Sequence, residues 1–142
     1  MDVKQYLRQA YWLDRRINAN LRQLEELKSL KYKISACLMT DKVQTSGIPD
    51  KTAEILVKII DLENQITADI DKLVDLKRDI NETIEKMDNS EYRLLLTLRY
   101  LNNKYWEEIA VEMHYSYRGI LYLHKDALIA YENVCTPLHI TI

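Results

Sequence analysis

The side chains best placed for chemistry lie in the stretch SYRGILYLHK at positions 116–125. Arg118 and Lys125 are seven residues apart, which is two helical turns, so a helix sets both on one side. Tyr117, Leu121 and Tyr122 share that side. A guanidinium can read a guanine edge bidentately, and an ammonium can hold a phosphate. With Ser116 as the residue that starts the helix, this face is an expected contact surface for double-stranded DNA. Lys104, at the start of the preceding helix, is placed for the sugar-phosphate backbone.

Covalent chemistry has much weaker support. His114, His124 and His139 do not stand at metal-ligand spacing, and His124 sits beside an apolar stripe, as packing histidines do. Cys37 and Cys135 are isolated and form no CxxC pair, so neither a disulfide nor a metal site is expected. Glu107 and Glu108 fit a helix start, where negative charge is favourable, better than an acid-base pair. Motifs for a nucleophilic Ser or Cys, or for a Gly-rich phosphate loop, are absent. The chain reads as a non-enzyme, with no cofactor and no metal expected. Tyr100, Tyr105, Tyr115, Tyr117, Tyr122 and Tyr131 could stack on bases, but such tyrosines are more often core or rim residues.

Bulk properties set the frame. In 142 residues, 47% are hydrophobic and 30% charged, with two Gly and two Pro, so turns are rare and helices should be long. A formal charge of −2 argues against a broad, sequence-independent nucleic-acid binder but permits a local DNA surface. The opening MDVKQYLRQAYW is charged and lacks an apolar core, so no signal peptide is expected. No apolar run approaches a membrane span. A reduced, cytoplasmic protein is the expectation.

The elements that must hold the reading face begin with a helix over positions 2–38. Ala10, Leu13, Ile17, Leu24, Leu27, Ile34 and Leu38 recur in steps of three and four, with Asn20 and Lys31 in the gaps. The stretch TDKVQTSGIP at 40–49 is the expected loop, with Pro49 starting the next helix. Over 50–87, a second seam runs through Ile55, Ile59, Leu62, Ile66, Leu73, Leu76, Ile80 and Met87. Asp69 and Thr83 interrupt it, with Ile70 and Ile84 as candidates to rotate in. The first helix carries eight basic residues against four acidic ones over 2–38; the second carries six against eleven over 50–88. Opposite charge favours pairing of the two as an antiparallel, coiled-coil-like hairpin. Each exposed ion pair is worth only about 0–1 kcal/mol, so the apolar seam must supply most of the stability. Seams this long also suggest self-association.

Three short helices follow. Asp88 with Glu91 matches a capping box, ahead of Leu94, Leu95, Leu98 and Leu101. Asn102-Asn103 ends that helix. The next, around 105–113, turns Trp106, Ile109, Ala110 and Met113 inward. Ser116 then caps the last helix, whose stripe is Ile120, Leu123, Ala127 and Leu128. The fold class expected is therefore all-α: a long helical hairpin over 1–88, a three-helix unit over 89–131 and a tail over 132–142.

The run WEEIAVEMHYSYRGILYLHKDAL resembles the helix-turn-helix of sigma-factor region 4. Glu107, Glu108, Ile109, Ala110, Ser116, Ile120, Ala127 and Leu128 match its order, and YRLLLTLRYLNNKYW is similar to the lead-in. The sequence departs from that pattern at the turn, where His114 replaces the usual Gly and Tyr115 the usual aliphatic residue. A left-handed His should cost on the order of 1 kcal/mol. The whole layout is similar to phage transcription regulators of the ArpU/RinA type. That resemblance implies DNA-binding control of phage or prophage genes, with RNA polymerase as a further partner. With two positive charges on its reading face, one copy should bind DNA weakly and need a dimer, a second module or RNA polymerase to hold it there. The alternative is a helical assembly or adaptor protein, such as a phage DNA-packaging component.

Overall fold

The computed structural model describes residues 2–40 and 48–135; these form helices joined by short turns, with no strand among them. Helix α1 spans Val3–Thr40 and α2 spans Ile48–Glu85. Helix α3 covers Ser90–Leu96 and runs directly into a π-helical segment, Thr97–Leu101. Helices α4, Trp106–Met113, and α5, Tyr117–Cys135, complete the order. Most of the expected loop lies outside the described residues, as does the tail beyond position 135. Glu132 to Cys135 still belong to α5. No helix among the described residues is long and apolar enough to cross a membrane.

The all-α fold has two compact units, and their boundary falls inside α1 and α2 rather than at the helix end near position 88. Unit 1 comprises Met1–Leu13 and Leu73–Ile142; unit 2 is Asp14–Lys72. In unit 1, Leu7 and Ala10 from the first turns of α1 share one buried cluster with Ile80, Ile84 and Met87 of α2. Leu95, Leu96, Leu98, Tyr100, Ile109, Ala110, Ile120, Ala127 and Tyr131 complete that core. Unit 2 is the packed hairpin. Leu24 of α1 is buried with Ile55, Ile59 and Ile66 of α2, and Leu27, Ile34 and Leu62 lie half-buried against them.

Two seam interruptions resolve in opposite ways. At 83–84 the apolar residue rotates in: Ile84 is buried, while the Thr83 hydroxyl donates to the Asp79 carbonyl at 3.1 Å. At 69–70 the carboxylate stays inside. Asp69 is 1% exposed and Ile70 42% exposed. The reason is Arg16, whose Nε and Nη2 donate to the two Asp69 oxygens at 3.0 and 2.6 Å. Gln65 Nε2 adds contacts of 3.3 Å to both oxygens. The Arg16 fork holds the Asp69 carboxyl below the ordinary carboxylate range, against the opposing pull of burial. The expected attraction between a basic and an acidic helix thus includes one two-pronged pair, with its carboxylate buried and its guanidinium half exposed.

The start of α3 corrects the expected capping box. Asn89 is the cap, its side-chain oxygen accepting from the amides of Glu91 at 2.9 Å and Tyr92 at 3.2 Å. The π-helical turn also corrects the expected apolar face. The Asn102 amide reaches back five residues to the Thr97 carbonyl at 3.0 Å. Leu95, Leu96, Leu98 and Tyr100 are buried, while Leu94 is exposed. The carbonyl of Leu101, at the end of this helix, accepts from Lys77 Nζ at 3.4 Å.

Candidate nucleic-acid interface

Helix α4 begins after Tyr105, whose amide donates to Glu108 Oε1 at 3.4 Å. Glu107 and Glu108 place negative charge at the positive end of the helix dipole, as expected. The helix ends at His114, which is left-handed with φ 61° and ψ 43°. The His114 amide donates to the Val111 carbonyl at 3.3 Å, and the Tyr115 amide to the Ala110 carbonyl at 2.9 Å. These two bonds are a Schellman closure, which satisfies the last carbonyls of α4 and reverses the chain. Glycine would adopt this conformation without strain; His114 carries it at the cost expected for a side chain with a β-carbon.

Ser116 opens α5. Its Oγ accepts from the Gly119 amide at 3.0 Å, and its carbonyl takes the first helical bond, from Ile120 at 2.9 Å. A β-carbon at position 119 would stand 3.0 Å from that Oγ and 3.4 Å from the Tyr115 ring, so the glycine lets the cap and the ring close together. Tyr115 is half-buried, and its hydroxyl finds a partner outside the helix pair: it donates to Glu91 Oε2 at 2.8 Å. That hydrogen bond pushes the phenol up from its ordinary value. Glu91 therefore ties the turn to α3 instead of reaching back to its own cap.

Beneath α5 lies a polar-aromatic stack that the sequence only hinted at. His124 is buried, with Nε2 2.6 Å from the Tyr100 hydroxyl. Burial pushes the Tyr100 phenol up to about 12, so the phenol keeps its proton and donates to Nε2 in the imidazole tautomer that leaves this nitrogen bare. Trp106 meets the His124 ring edge-on at 4.5 Å between centroids, and the Arg99 guanidinium lies 4.4 Å from the Trp106 ring centre. Burial, with Lys4 and Arg99 adding to it, pushes His124 down to about 4. This stack fixes the π-helical segment and the first turn of α4 against the middle of α5. The one visible signal was position: His124 falls four residues after Ile120 and three before Ala127, on the buried stripe itself.

The opposite side of α5 is open. Tyr117, Arg118, Leu121, Tyr122 and Lys125 are all exposed and share one face of the helix. Ser116 is exposed at its head. Lys104 stands apart from them: its Nζ donates to Glu112 Oε2 of α4 at 2.9 Å. Half-exposed ion pairs are worth at most about 1 kcal/mol, so a phosphate could displace Glu112 at little cost. The Lys104 backbone is fixed by Arg99 Nη1, which donates to its carbonyl at 3.0 Å. Among the described residues, no cluster of His, Cys, Asp and Glu has the arrangement of a metal site.

No curated protein and no solved structure matches the chain. A family of proteins of unknown function, DUF1492, matches residues 33–132, which takes in α2 and nearly all of the capped α3–α5 unit, and the chain belongs to that family.

Proposed function

We propose that the protein is a DNA-binding transcription regulator of phage or prophage type, which lays the outer face of α5 in the major groove. The observation that carries this reading is the pairing of α4 and α5 across a closed turn. A left-handed His114 and a Ser116 cap leave five side chains facing outward together, with no core duty among them. Arg118 serves as the base reader, Lys125 as a phosphate contact, and Tyr117, Leu121 and Tyr122 as the surface around them. Lys104 joins on exchange of Glu112 for phosphate. A face with so few positive charges binds weakly alone, so RNA polymerase or a second copy supplies the rest of the affinity.

Replacing Arg118 and Lys125 together with Ala is expected to abolish retention of specific DNA. Both side chains are exposed, so the fold should be untouched and the thermal midpoint within a degree or two of wild type. An electrophoretic mobility or fluorescence anisotropy titration at moderate salt reads the effect. Equal binding by the double variant would remove α5 as the reading helix.

A further inference from the structure

In unit 2, α2 spends one stripe on α1, through Ile55, Ile59, Ile66 and Asp69. A second stripe lies beside it. Leu56 is 41% exposed, Ile60 49% and Ile70 42%. With Glu63 and Thr67 between them, these positions repeat in steps of four and three, roughly 100° around the helix from the first stripe. A helix with one neighbour needs one apolar stripe; a helix in a four-helix bundle touches two neighbours and needs a broader one. Helix α1 contributes to the same face, since Lys28, Lys31 and Tyr32 line a groove with Leu56, Ile59 and Glu63.

Charge selects what covers this face. Over residues 14–38, α1 carries six basic side chains against three acidic ones; over residues 50–72, α2 carries three against six. A purely acidic or purely basic partner would suit only half of the face. A second copy suits both halves, provided the twofold axis runs along the helices. That axis sets each α1 antiparallel to the other copy's α2, with lysines 28 and 31 facing the acidic helix. An axis across the helices would stack α1 on α1 and like charge on like.

We propose that unit 2 is a dimerisation element, in which the Leu56–Ile60–Ile70 flank of two copies closes a twofold four-helix bundle. Both chain connections of unit 2, at residues 14 and 72, leave from the end where Arg16 meets Asp69. The proposal goes beyond the DNA-binding reading and stands or falls without it, because its test contains no DNA.

Light scattering after size exclusion of the full chain at tens of micromolar is expected to give a dimer. Ile60→Glu and Leu56→Glu, made separately, should each give a monomer with unchanged helical circular dichroism. Val57→Glu, at a position 56% exposed but off the stripe, should leave the dimer intact. A monomeric wild-type chain, a larger ring, or a dimer that survives both stripe variants would overturn the proposal. So would loss of helicity in both stripe variants, which would assign these residues to the hairpin's own core, or a Val57→Glu variant that dissociates equally.

Discussion

Arg16→Met is expected to destabilise the protein by roughly 3 kcal/mol at neutral pH, several times the effect of an ordinary surface substitution. The loss comes less from the ion pair itself than from what remains. Arg16 has 53% of its side chain exposed, whereas Asp69 has 2%. Removing the cation leaves a desolvated carboxylate with only the two longer Gln65 contacts. Asp69→Asn should cost less, because the remaining guanidinium can turn to water. The pH dependence separates the two states of the pair. In the wild type the folded Asp69 carboxyl is held below its unfolded value, so its stabilisation is complete above the ordinary carboxylate range and is lost as pH falls through the folded value. In Arg16→Met the carboxyl keeps its burial but loses its strongest lowering partner, so its folded value should rise and acidification should relieve part of the damage. Urea unfolding of both proteins at pH 7 and pH 4 measures this; parallel losses at both pH values would contradict it.

The second large effect concerns His124. Its folded value of about 4 lies below the 6.5 of an unfolded imidazole. Between those limits the unfolded chain binds a proton that the folded chain refuses. Stability therefore rises with pH across this window and is lost as pH falls from 6.5 toward 4. At 1.36 kcal/mol per unit, the loss is roughly 3 kcal/mol when complete. Protonation would turn the acceptor of the Tyr100 hydrogen bond into a donor, beside the cations Lys4 and Arg99. His124→Phe keeps the ring against Trp106 but removes the titrating nitrogen. Its unfolding free energy should be lower than wild type at pH 7, where the Tyr100 hydroxyl is left without its partner, and should lack most of the wild-type slope between pH 6.5 and 4. An unchanged slope would mean that other groups carry the acid sensitivity.

The long helices and their packing were legible because apolar residues in steps of three and four have one physical solution. Capping of α5 by Ser116 was legible for the same kind of reason, since few residues can start a helix after a tight turn. Other features depend on partners distant in the chain, and these were not. Whether Asp69 or Ile70 faces inward is decided by Arg16, fifty-three positions away. Asn89 caps α3 in place of Asp88, and with either residue competent the choice lies in the approach of the chain. The π-helical turn leaves no mark on a pattern read with a fixed period. The unit boundary was hidden because the three-four spacing of both seams runs on through positions 13 and 73. Glu91 looked like part of a capping box by spacing alone, and its real partner, Tyr115, lies across the unit.

His114 at the turn, Ser116 at the cap and Arg118 with Lys125 on the open face form one local argument for DNA reading. The long hairpin gives a reason why weak reading by one copy need not be weak in the assembly. Selection of binding sites from random double-stranded DNA, with and without host RNA polymerase, tests this most directly. The account predicts enrichment of a defined sequence by the wild-type chain, with polymerase or without it, and none by the Arg118→Ala, Lys125→Ala double variant. Failure to enrich any sequence under either condition, or equal enrichment by the variant, would contradict it.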